Sequence, residues 1–286
     1  MSHTLSENRR RIDGPVVVDD NWRVPPLEFF THAPQPAPDT PIWRFRRLKF
    51  FRDIIQTREF HFTRTDRFPQ DEQEGIPPEE YIAAVLRLDR FDPRNRATID
   101  SHVGMLAQDR ESFFIHCWYH FDEERAGTWK TYGLDGVALC TRYDLLCAVA
   151  TSFEPRPHVG LVQYGTSHLN GHYNVQQFIT TKRDQFRDDR EFRLGLWRID
   201  PLASNNRHFD NDNRAHQRPI LEWIDERRQP MFLRQKVDLQ ALVTEIVVSP
   251  YAADSTRADV EQMVGRAGLH ISVRDSCLRR FKTFLP

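Results

Sequence analysis

Residues Phe186–Trp197 read FRDDREFRLGLW, and the reading of this stretch decides the fold. As a strand, its side chains alternate between two faces. Asp189, Glu191 and Arg193 then share one face, and Phe192 and Leu194 share the other. A face that carries both acids and a base has two explanations. Either it is wet and the charges pair among themselves, or it lines a pocket where the charges meet a ligand.

Other segments also have strand character. SFFIHCWYHF (Ser112–Phe121) is aromatic and β-branched, and GVALCT (Gly136–Thr141) reads as a buried strand. EFHFTRT (Glu59–Thr65) alternates, with Phe60 and Phe62 on one side. IWRF (Ile42–Phe45), HVGLVQYG (His158–Gly165), the end of VDLQALVTEIVVSP (Val237–Pro250) and LHISVRDS (Leu269–Ser276) complete the set.

Helical spacing appears in RLKFFRDIIQTRE, where Leu48, Phe51, Ile54 and Ile55 recur on one face. Pro77 and Pro78 are placed to open a helix over Glu79–Leu88, and a weaker one is predicted over Asn95–Leu106. Thr141 is the predicted cap of DLLCAVATSF, and Ser255 of TRADVEQMVGRAG, which Gly268 ends. Strands outnumber helices and do not alternate regularly with them. The pattern predicts an α+β fold with a mixed, mostly antiparallel sheet core and peripheral helices. Residues 1–41, with the tract THAPQPAPDTP, are expected to be an extended Pro-rich arm. Residues 42–286 are expected to form a single domain with a polar insertion near 200–218.

The chain has 286 residues, ample for a core, and a formal net charge of -1. That balance does not indicate nucleic acid or a membrane surface as partner. No apolar run reaches the length of a membrane span, and the first residues lack the apolar stretch of a secretory signal. The four cysteines form no C-x-x-C pair, so the expectation is a cytoplasmic protein with reduced thiols. His116 next to Cys117 lacks a partner pair at zinc-ligand spacing, and no metal cofactor is expected. Phosphate-loop and G-x-S-x-G signatures are absent from the sequence.

Several blocks together resemble a bacterial domain-of-unknown-function family, numbered in words twenty-nine seventy-one. IWRF followed by REFHFTRTDRFPQDEQEG is similar to its opening, with Asp71 and Glu74 where its acidic motif would sit, although the Asn-Asp-Pro of that motif is absent. FIHCWYHFDEERAGTWKTYGLDGVAL resembles its middle block through Glu124, Trp129, Tyr132, Gly133 and Gly136. KRDQFRDDREFRL resembles a third block through Lys182, Phe186, Asp189, Glu191 and Arg193. TEIVVSPYA and DSCL resemble its C-terminal end, so the likeness runs over about residues 42–278. It implies a bacterial effector or phage-defence setting.

The order of features also resembles the ADP-ribosyltransferase fold. That resemblance implies an enzyme using NAD as substrate, with ADP-ribose passed to an acceptor of unknown kind. Arg44 would anchor the cofactor, Thr63 or Thr65 would be the middle polar group, and Trp129 and Tyr132 would be stacking rings. Glu191 would be the catalytic carboxylate beside Arg193 and Asp189. Breaking the nicotinamide–ribose bond develops oxocarbenium character, which a nearby carboxylate stabilises. Two other readings stay open. Asp71, Glu74, Asp189 and Glu191 would serve a metal-dependent nuclease, and the same Arg-rich, aromatic surface would serve a binding or sensor module without chemistry.

Overall fold

A computed structural model describes residues 35–69, 71–76, 79–165, 179–197 and 231–279. Most of the predicted arm, Pro77 and Pro78, and the polar insertion lie outside the described residues. Residues 35–40 pack on the domain: Tyr143 Oη donates to Gln35 at 2.8 Å, and the Tyr143 amide donates to the Thr40 carbonyl.

The fold is α+β, with a mixed, mostly antiparallel sheet and peripheral helices. Its strands are β1 (Pro41–Arg47), β2 (Glu59–Arg64), β3 (Phe113–His120), β4 (Gly136–Arg142), β5 (His158–Leu161), β8 (Glu191–Trp197), β9 (Phe232–Lys236), β10 (Glu245–Val248) and β11 (Ser272–Asp275). β6 (Gln163–Tyr164) and β7 (Thr181–Lys182) form a separate parallel pair. The main order is β11-β10-β4-β1-β3-β2-β9, and β8 joins β3 to β5. Among the described residues, only the β10–β11 contact in this sheet is parallel.

The sheet branches at β3. β8 pairs along β3 from Phe113 to Tyr119 and occupies one edge. The other edge is shared: β2 pairs at Phe114 and Ile115, and β1 pairs at Tyr119 and His120. Between them β1 and β2 part, and the Cys117 carbonyl takes its hydrogen bond from the Arg44 side chain instead of a strand.

One face of the sheet carries the larger core. Ile42, Phe60, Phe62, Trp118, Phe192 and Leu194 pack there against Phe51, Ile54 and Ile55 of α1 (Leu48–Thr57) and against Leu146 and Val260 of α5 (Tyr143–Ala150) and α7 (Thr256–Arg266). Arg58 closes α1 in the left-handed region, φ 56°, and returns its N–H to Ile54. The other face is covered by α4 (Ala126–Tyr132), whose Trp129 meets Phe45 edge-on at 4.7 Å. Gly136 is required where β4 begins, because a Cβ there would lie 1.9 Å from the Arg46 carbonyl oxygen. Between β2 and β3, α2 (Glu79–Leu86) and α3 (Arg96–Asp109) form a hairpin with its own small core of Tyr81, Ile82, Ala83 and Ile99.

Two predicted caps are corrected. Thr141 does not cap α5; its hydroxyl donates to the Leu242 carbonyl at 2.6 Å, tying β4 to α6 (Leu239–Leu242). Ser255 sits at the start of α7 with helical dihedrals and makes no side-chain cap bond. β9 had no clear strand signal: FLRQK lacks a clean alternation, and it forms an edge beside β2.

Candidate functional site

β8 begins at Glu191, two residues later than strand alternation from Asp189 would have it. Asp184–Asp189 is a 3-10 turn, and Arg190 in the left-handed region, φ 45°, redirects the chain into the strand. Asp189 still reaches the same side as Glu191: both border one cavity and both contact Lys182. On that side lies a cavity of about 570 Å³. Its volume lies in the range of small-molecule sites.

The cavity is bordered by Arg44 and Arg46 of β1, Thr63 of β2, Cys117 and Tyr119 of β3, and Glu191 and Arg193 of β8. Tyr132, Lys182, Phe186 and Asp189 close it from the α4 and 3-10 side, and Asp71 and Glu74 from the loop after β2. Five of the seven predicted site residues thus border one hollow: Arg44, Thr63, Tyr132, Glu191 and Arg193. An early guanidinium and a late acid, far apart in the chain, border the same cavity.

Two predicted site residues do not. Trp129 is fully buried in the core, so it offers no ring face to a ligand. Its Nε1 donates to Glu124 at 3.1 Å, and Glu124 also accepts from Arg274, the Ser276 hydroxyl and the Cys277 amide. Glu124 and Trp129 therefore form a strut between α4 and the chain after β11. Thr65 is also fully buried; its hydroxyl donates to the Arg110 carbonyl at 2.5 Å.

The acids and bases of the cavity wall form a chain of ion pairs. Arg193 is fully buried and grips Glu74 with two parallel bonds of 2.7 and 2.8 Å. The same guanidinium donates to Glu191 Oε2 at 2.8 Å and to the Ile179 carbonyl at 2.8 Å. Glu191 Oε1 is held by Lys182, which also reaches Asp189 Oδ2 at 3.3 Å. Tyr132 Oη donates to that same Asp189 oxygen at 3.3 Å. Asp71 is taken by Arg183 at 2.5 Å.

This bonding sets the titration of the two key acids in opposite directions. Burial alone would raise Glu191, but the charges and hydrogen bonds of Arg193 and Lys182 overcome it and hold the carboxyl at about 2. Asp189 goes the other way: burial, with Glu191 nearby, raises it against the pull of Lys182. Glu191 is therefore held as an anion inside the wall, and Asp189, with its side chain 20% exposed, keeps its proton more readily than Glu191 does. Sequence spacing had placed Asp189 only as a neighbour of Glu191. Arg46, two residues after Arg44 on the same strand, borders the cavity as well, and period-2 alternation pairs the two.

A depressed carboxyl contributes stability that is complete above its unfolded value and is lost as pH falls through its folded value. For Glu191 the window runs from 4.5 down to about 2. Urea midpoints measured across that window are expected to fall steeply for the wild type and less steeply for Glu191→Gln. Parallel slopes would mean that Glu191 is not the ionised centre of the network.

The ion pairs also bear on metal chemistry. Asp71, Glu74 and Glu191 each have a cation in contact. Among the described residues no group of three or more His, Cys, Asp and Glu side chains is placed to hold a metal ion. Nor, among the described residues, is any helix long and apolar enough to cross a membrane. No protein-family model, no curated protein and no solved structure significantly matches this chain.

Proposed function

We propose that the cavity binds NAD and that the chain acts on it as an ADP-ribosyltransferase-like enzyme. The observation that carries this reading is the shared hollow: Arg44 from the first strand, Glu191 from a late one and Asp189 from the turn before it border the same cavity. Once the pairs Arg193–Glu74, Lys182–Glu191 and Arg183–Asp71 are set aside, the lining charges left over are Arg44 and Arg46, with Asp189 sharing Lys182 with Glu191. Two guanidinium groups suit a diphosphate. Tyr132 and Phe186 present rings for a planar base.

In the step proposed, the nicotinamide–ribose C–N bond breaks and its electron pair returns to the pyridinium nitrogen, which becomes neutral. The ribose carbon gains oxocarbenium character beside the ionised Asp189. An acceptor hydroxyl, amine or water attacks that carbon and gives its proton to Asp189. Glu191, locked between two cations, keeps Lys182 and the strand end in place.

Calorimetric titration with NAD, followed by chromatography for free nicotinamide, tests the reading. The expected result is saturable binding and nicotinamide release matched by ADP-ribose or an ADP-ribosylated acceptor. Absence of binding at millimolar NAD would overturn it. A second reading, a sensor that binds without chemistry, is favoured by one observation: both Glu191 oxygens are already occupied by cations. Saturable NAD binding with no nicotinamide release would establish it in place of the first.

A further inference from the structure

The gap where β1 and β2 part along β3 collects hydrogen-bond donors that lack acceptors. Arg44 is 5% exposed; one end of its guanidinium donates to the Cys117 carbonyl, and its buried Nε has no partner among the described residues. His116, one residue before Cys117, is 1% exposed and stacks on Phe60 at 4.5 Å. The Trp118 indole can only donate, and its Nε1 lies 2.8 Å from His116 Nδ1. Nδ1 is therefore the acceptor, and the proton of the neutral ring sits on Nε2. Burial, reinforced by Arg46 and His61, keeps that ring neutral. Its Nε2–H is also buried without a partner among the described residues.

Both orphan groups border Trp118, since the Arg44 Cζ lies 6.0 Å from its ring centroid. Arg46 adds a second guanidinium, which borders the same cavity as Arg44. Among the described residues no carboxylate pairs with Arg44, Arg46 or His116. Native proteins seldom leave buried donors unsatisfied. A water molecule would satisfy a donor but leave two cations uncompensated; an oxyanion answers both deficits.

We infer that the gap between β1 and β2 is an oxyanion site that takes a phosphate group, with Arg44, Arg46 and the Nε2–H of His116 as its donors. The phosphate is either free inorganic phosphate or part of a nucleotide seated in the adjoining cavity. In the second case the inference deepens the NAD reading, and it rests on that reading only there.

The test uses the full chain with ¹⁵N-labelled histidine, titrated with inorganic phosphate at constant ionic strength. The His116 Nε2–H resonance is expected to move saturably, and phosphate is expected to raise the Tm. Arg46→Gln, at a partly exposed position, is expected to weaken phosphate binding at least about tenfold. His116→Phe keeps the ring stack and is expected to weaken it similarly; should that variant fail to fold, Arg46→Gln carries the test. Parallel titrations with AMP and NAD separate the sources: tighter binding than inorganic phosphate assigns the site to a nucleotide phosphate, and equal binding assigns it to the free ion. Absence of a saturable His116 shift at tens of millimolar phosphate would overturn the inference, as would affinity unchanged by Arg46→Gln. Phosphate binding without NAD turnover would leave this site standing and remove the enzymatic reading; turnover without phosphate binding would do the reverse.

Discussion

Replacing Arg193 with methionine is expected to leave little folded protein. The guanidinium has no access to water and makes four hydrogen bonds, two to Glu74, one to Glu191 and one to the Ile179 carbonyl. Methionine restores much of the volume but none of the charge. Glu74 would then be buried with no cation, and Glu191 would keep only Lys182. Removing one partner from a buried ion pair costs about 3–5 kcal/mol, because the other charge stays behind uncompensated. A domain has only about 5–15 kcal/mol to lose. Urea denaturation measures the loss, and a change under about 1 kcal/mol would mean that solvent reaches the network. The double variant Arg193→Met with Glu74→Leu is expected to recover most of the deficit, since it removes the stranded acid along with its partner.

In the proposed reaction, Asp189→Asn is expected to lower NAD cleavage by about 10²- to 10⁴-fold, the range for loss of a positioned acid or base. The same change is expected to stabilise the fold at neutral pH. A carboxyl raised in the folded state contributes stability below its unfolded value and loses it as pH rises through the folded value. Above that point the ionised Asp189 is a cost, imposed first by burial and then by Glu191. Asparagine keeps the shape and the bond from Tyr132 while removing the cost. The Tm of the variant is therefore expected to exceed that of the wild type at neutral pH, with the difference shrinking in acid. A less stable variant at neutral pH would make Asp189 a structural acid and remove it from the chemistry. Glu191→Gln is a poorer probe of catalysis, because neutralising it leaves Lys182 and Arg193 facing each other without the anion between them.

Much of the fold was legible because its elements announce themselves by period. Phe60 and Phe62 in β2, the aromatic run of β3 and the Phe51, Ile54 and Ile55 stripe of α1 each bury the face that their spacing marks. The branching of the sheet was not legible, since pairing of β1 and β2 along one edge of β3 depends on contacts distant in sequence. Asp189 was assigned to a strand because alternation cannot see a left-handed residue such as Arg190 breaking the run. Trp129 and Thr65 misled for a different reason: residue type suggests stacking or polar contact, and only packing reveals a tryptophan enclosed by Phe45 or a hydroxyl already given to Arg110. Arg44 and Glu191, both marked by the sequence, border one cavity, but the ligation of Glu191 by two cations depends on Lys182, which arrives from another strand.

The strut at Glu124 has a consequence for biosynthesis. Three of its four donors, Arg274, Ser276 and Cys277, come from the far end of the described chain. Until the ribosome has released that segment, the carboxylate that α4 leans on has only Trp129 to hold. The nascent polypeptide must therefore wait for β11 and the residues just after it before the Tyr132 side of the hollow can set.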